Sequence, residues 1–186
     1  MHTRKIAPFV AALLAFGLQV TAQSKGAPPK GATKAAPAKV VANSSSPPAT
    51  LAQLMKGILF TNSNVIFAAQ NDDPAKVAPA KDPSLALNPL ENSYGKWEAV
   101  ENSALVLAES ARLLTVPGRK CSNGRNVPLQ NPDWAKLVQG LRDAGMTVYK
   151  AAQTKDQDKI VDAADVMTTA SSNCHDKYRE VEVRCK

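Results

Sequence analysis

Thr168-Thr169-Ala170-Ser171-Ser172-Asn173-Cys174-His175-Asp176-Lys177-Tyr178-Arg179-Glu180 lies close to the C-terminus. Within it Ser171, Cys174 and Tyr178 continue a series begun by Ile160, Ala164 and Met167, at steps of three and four residues. A mean step near 3.5 residues keeps one stripe of a helix turned towards its neighbours. The same rhythm runs through Leu51, Met55, Ile58, Asn62, Val65 and Ala69, and through Trp97, Val100, Ala104, Leu107, Ala111 and Leu114. It returns in Trp134, Leu137, Leu141, Ala144, Val148 and Ala151. Four such stripes, and no stretch of strong strand alternation, predict an all-α domain arranged as an up-down four-helix bundle.

Local signals set the expected limits of the helices. Thr50 with Gln53 has the form of a capping box for the first. Asn131 before Pro132 predicts a cap and a first-position proline for the third. The stretch 154–157 marks a break before the fourth. Between the first two helices, residues 71–92 carry Pro74, Pro79, Pro83 and Pro89 and predict an irregular crossover.

Cys174-His175 has the form of the second half of a C-x-x-C-H haem attachment site, with Ser171 where the first cysteine would stand. In such a site two thiols, three apart on one helix face, add to the two vinyl groups of haem, and the histidine ligates the iron. With Ser171 present only Cys174 can form a thioether, so the expectation is one haem c held by Cys174 and by His175. Ser171 and Cys174 occupy successive positions of the inward stripe, where a ring between helices would meet them. Ala163, Ala164 and Ala170 either leave room for a flat ring or allow close helix packing.

The N-terminus reads as an export signal. Arg4 and Lys5 precede an apolar run from Ile6 to Val20, and Val20-Thr21-Ala22 offers a cleavage site before Gln23. The run is too short to span a membrane and lacks a basic stop, so residues 1–22 are expected to be removed and His175 to be the only histidine left. Residues 23–49 hold no acidic or aromatic side chain and predict a disordered Ala/Pro/Lys-rich tether. Residues 50–186 form the expected folded domain. Six of the 23 Lys and Arg precede Thr50 and all 16 acidic residues follow it, which leaves +1 on the domain. The basic balance belongs to the ends, so a nucleic-acid face is not indicated.

Three cysteines in an exported chain leave one unpaired. Cys174 and Cys185 would be roughly 16 Å apart on a continuous helix, beyond the reach of a disulfide. If the helix ends near Glu180 and the tail folds back, Cys185 reaches Cys121 in the loop 117–125. The expected pair is Cys121–Cys185, with Cys174 left over.

The chain resembles cytochromes c of the c-prime and c-556 type over roughly residues 50–180. The resemblance rests on Leu54-Met55-Lys56, Trp134-Ala135-Lys136-Leu137 and Cys174-His175-Asp176-Lys177-Tyr178-Arg179. A group of exported bacterial members is similar in Pro117-Gly118-Arg119-Lys120-Cys121-Ser122-Asn123-Gly124-Arg125 and in Arg184-Cys185; there Ala170 would be followed by cysteine, and Ser171 departs from the pattern. The resemblance implies a periplasmic mono-haem electron carrier of a Gram-negative bacterium, with His175 as proximal iron ligand and Cys174 as thioether donor. Met55 is its implied sixth ligand; were Met55 only packing, the open iron site would suit small gases. It also implies a redox partner protein and a homodimer.

No Ser-His-Asp arrangement or phosphate loop is present, so an electron carrier and not an enzyme is expected. The alternative from another class is a haem-free bundle that acts as a structural or binding module. Zinc at Cys174 and His175 is a third reading, short of ligands.

Overall fold

The computed structural model describes residues 46–179 and Cys185. The expected signal and most of the expected tether lie outside the described residues. Among those described, the structure is all-α: there is no strand, only one isolated antiparallel bridge between Lys120 and Asn126. No helix among the described residues is long and apolar enough to cross a membrane.

Helix α1 covers residues 51–71 and is made of three parts: an α segment Leu51–Leu54, a π segment Met55–Leu59 and an α segment Phe60–Asn71. Helix α2 is Lys96–Ser110, prolonged by a 3-10 turn Ala111–Thr115; α3 is Trp134–Gln153 and α4 is Gln157–Tyr178. Each helix packs against the next in the chain, and α1 also packs against α4.

Caps explain most of the boundaries. Thr50 and Gln53 form the expected reciprocal box: Thr50 Oγ1 accepts from the Gln53 amide at 3.3 Å, and Gln53 Oε1 accepts from the Thr50 amide at 2.8 Å. Asp156 caps α4 by accepting from the Asp158 and Lys159 amides, after a turn in which Lys155 takes φ 57°. The crossover is irregular apart from two 3-10 turns, Pro83–Leu85 and Pro89–Glu91, each opened by its proline behind a capping Asp82 or Asn88.

The start of α3 corrects the sequence reading. Asn131 does not cap it and Pro132 is not its first residue; the helix begins at Trp134, with Asp133 at the cap position. The Trp134 amide donates to the Asn131 carbonyl at 3.0 Å, a tight turn ahead of the helix. The Asn131 side chain is used elsewhere, donating to Tyr178 Oη at 3.1 Å.

The α2 stripe is buried throughout, as its rhythm predicted. Close approach of α2 and α3 depends on Gly145, where a Cβ would meet the Ala108 amide nitrogen at 2.9 Å. Ala163, Ala164 and Met167 of α4 are buried against the same core. Ala163 and Ala164 thus serve close packing.

The α1 stripe departs from its rhythm for a definite reason. The Phe60 amide donates to the Met55 carbonyl, five residues back, so one extra residue is accommodated in that turn. Leu54 and Leu59 are buried in place of the expected Met55 and Ile58, which are only half-buried. Carbonyls loosened by the wide turn find side-chain donors: Lys56 O accepts from Thr61 Oγ1 at 3.3 Å and Ile58 O from Asn62 Nδ2 at 2.8 Å.

Loop 116–133 clasps both ends of the described chain. The Leu51 amide donates to Lys120 O at 2.8 Å, and the buried Arg119 guanidinium donates to Leu113 O and Ala49 O. Cys121 and Cys185 lie at disulfide distance with Cα atoms 5.9 Å apart, both buried, which matches the expected pair.

Candidate functional site

A cavity of about 460 Å³ opens where α1, α3 and the end of α4 converge. That is within the usual range of small-molecule and cofactor pockets. It brings together Met55, Ser171, Cys174 and His175, the four side chains singled out in the sequence. It also explains the half-buried stripe residues. Leu137 and Leu141 of α3 and Met55 of α1 sit at inward positions yet keep solvent exposure, because each faces the cavity.

The π turn shapes one wall. Leu51 and Ala52, Met55 and Lys56, Leu59 and Phe60, then Ser63, all line the cavity, at four-residue intervals. On a regular α-helix such a step drifts about 40° each time. One turn with more residues holds the whole row on the same face. π turns recur at functional sites for this kind of local re-aiming.

The floor is rigid. Trp134 is buried and its Nε1 donates to Leu114 O at 3.2 Å. Its ring meets that of Tyr178 edge-on, centroids 4.9 Å apart. Tyr178 Oη donates to Asp133 Oδ1 at 2.6 Å, and Lys177 Nζ donates to Asp133 Oδ2 at 2.7 Å. Asp133 therefore ties the last turn of α4, which carries Cys174 and His175, to the start of α3. These two donors hold the Asp133 carboxyl below the usual carboxylate range, Lys177 contributing most.

Cys174 is half-buried and is the thiol outside the Cys121–Cys185 pair. Burial, and then the negative Asp133, push it up, so it stays a thiol at neutral pH. Burial and then the positive Arg179 push His175 below 6.5, only partly opposed by Asp176. Its imidazole is consequently neutral at pH 7, the form that coordinates a metal.

Comparison with protein-family models, with curated proteins and with solved structures returns no match. The donors present must therefore speak for themselves. One imidazole, one thiol and one thioether face the cavity. Among the described residues no three His, Cys, Asp or Glu side chains gather to hold a bare ion.

Neutral His175 has a consequence for stability. Its folded pKa lies below its unfolded value, so the unfolded chain binds more protons as pH falls through about 6.5. Its contribution is full above that pH, declines through it, and levels off below the folded pKa. NMR titration of the His175 ring should give a pKa under 6.5. A value above 6.5 would contradict the burial seen here.

The sequence reading missed Lys56, Asp133 and Arg179. Lys56 and Arg179 follow Met55 and Tyr178 in the quoted motifs, but only the fold brings them to one cavity.

Proposed function

We propose that this chain is a mono-haem c-type cytochrome that passes single electrons, built as an up-down, c-prime-like four-helix bundle. The observation that carries the reading is the convergence of Cys174, His175 and Met55 on one apolar-walled cavity. A porphyrin supplies four nitrogens of its own, so one histidine suffices to hold the iron. That matches a donor set too small for a bare metal ion.

His175 would hold the iron through its neutral imidazole, and Cys174 would bind the ring through one thioether. Haem supplies a one-electron Fe(III)/Fe(II) couple at a potential set by its axial ligands and burial. Met55 would supply a further ligand to the iron, and its thioether would raise the potential. The buried Trp134 floor excludes water from the inner end, and the Asp133 tie keeps the turn bearing His175 in place. Export to the periplasm of a Gram-negative bacterium, a redox partner protein and a homodimer complete the proposal.

The reading is tested by titrating ferric haem into the haem-free full-length chain. The expected result is one haem per chain with a shifted Soret band, and loss of that shift in His175→Ala. No binding, or an unchanged spectrum in His175→Ala, would remove it.

A second reading is favoured by one residue. Ser171 lines the cavity on the same helix face as Cys174, where a second thioether would otherwise form. A haem-free helical module would be left if that loss had ended attachment. Restoring the thiol with Ser171→Cys would then give no more haem than the unaltered chain.

A further inference from the structure

Lys56 and Arg179 line the cavity and are at the same time exposed to solvent, which places both at its rim. They come from different helices, Lys56 from the π turn of α1 and Arg179 from the residue that ends α4. Among the described residues neither is in an ion pair with a carboxylate. By contrast Lys177, two positions from Arg179 but not on the cavity, is engaged by Asp133. The walls inside this rim are apolar, formed by Leu107, Leu114, Trp134 and Val138, all buried.

We infer that Lys56 and Arg179 form a carboxylate-reading rim, so that the cavity selects a flat apolar body carrying anionic groups at its outer edge. The inference rests on the haem reading and deepens it: the two propionate carboxylates of haem are the groups recognised. An apolar wall alone cannot tell a dianionic ring from its neutral ester. Two cations that pair with no carboxylate among the described residues can, because each gains a charge-assisted partner only from the anionic form. Arg179 adds a planar fork suited to a carboxylate, and Lys56 adds a point charge.

Both cations are exposed, so each contact is screened and contributes only a few-fold in affinity. Together they should favour the free acid by about tenfold.

The test titrates ferric protoporphyrin IX and its dimethyl ester, from the same co-solvent stock, into the haem-free full-length chain. Quenching of tryptophan fluorescence gives the affinity of each. The expected result is tighter binding of the free acid by about tenfold, shrinking as salt is raised, with ester binding insensitive to salt. In Lys56→Gln with Arg179→Gln, the two ligands should bind alike at the ester's affinity. Circular dichroism of that variant should match the unaltered chain, since both side chains are exposed. Equal binding of acid and ester by the unaltered chain would overturn the rim while leaving the haem reading intact. Failure of both ligands to bind would overturn the haem reading and the rim with it.

Discussion

Truncating Trp134 to alanine is expected to destabilise the fold by about 3–5 kcal/mol, the range for loss of a large buried aromatic. Trp134 is 1% exposed, the most deeply buried aromatic side chain described. Three separate interactions are lost with it. Its indole fills the floor of the cavity, its Nε1 donates to Leu114 O, and its ring packs edge-on against Tyr178. The site cannot collapse easily, because a cavity already lies on the other side of the ring. Trp134→Phe separates these contributions, since it keeps an aromatic ring and leaves the Leu114 carbonyl without its donor. That variant should lose about 1–3 kcal/mol. Urea unfolding followed by far-ultraviolet circular dichroism measures both. A loss under 1 kcal/mol for Trp134→Ala would mean that the floor is not closed as described.

Opening the Cys121–Cys185 link is expected to have an effect of similar size. The two cysteines are 64 residues apart. Releasing a loop of that length to the unfolded chain lowers stability by about 4 kcal/mol in the chain-entropy view. The link also sits beside the loop that receives the Leu51 amide and the Arg119 contacts, so its loss loosens the start of α1 as well. The double variant Cys121→Ser with Cys185→Ser, or the reduced protein, should unfold at clearly lower denaturant. Reduction should leave Cys121→Ser with Cys185→Ser no less stable than before. An unchanged midpoint on reducing the unaltered chain would contradict the pairing.

Much of this was legible in the residues because it depends on short-range chemistry. The Thr50 and Gln53 box needs only two side chains three residues apart. The α2 stripe was legible in full because nothing interrupts its helix. The proline-rich crossover follows from missing amide donors, and the cysteine pairing from helix length against disulfide reach.

What escaped the sequence depends on tertiary context. A π turn has no residue signature in Met55-Lys56-Gly57-Ile58-Leu59; it is stabilised by what the re-aimed side chains then touch. Asn131 and Pro132 had the composition of a helix start, but Asn131 is drawn off by Tyr178, 47 residues away. Leu137 and Leu141 read as core because periodicity registers facing inward and not whether the inside is filled. The site shows the same division. Met55, Ser171, Cys174 and His175 were marked by motif, whereas Lys56 and Arg179 gained meaning only when two helices brought them to one rim.

We propose that Cys174 and His175 hold haem despite Ser171. It is tested most directly on full-length chain expressed with export and haem-maturation machinery, by intact mass and visible absorption before and after acid–acetone extraction. The account predicts one haem added per chain and a Soret band that stays with the protein through extraction, both lost in Cys174→Ala. Colourless protein at the bare mass, unchanged when Ser171→Cys restores the second thiol, would contradict it.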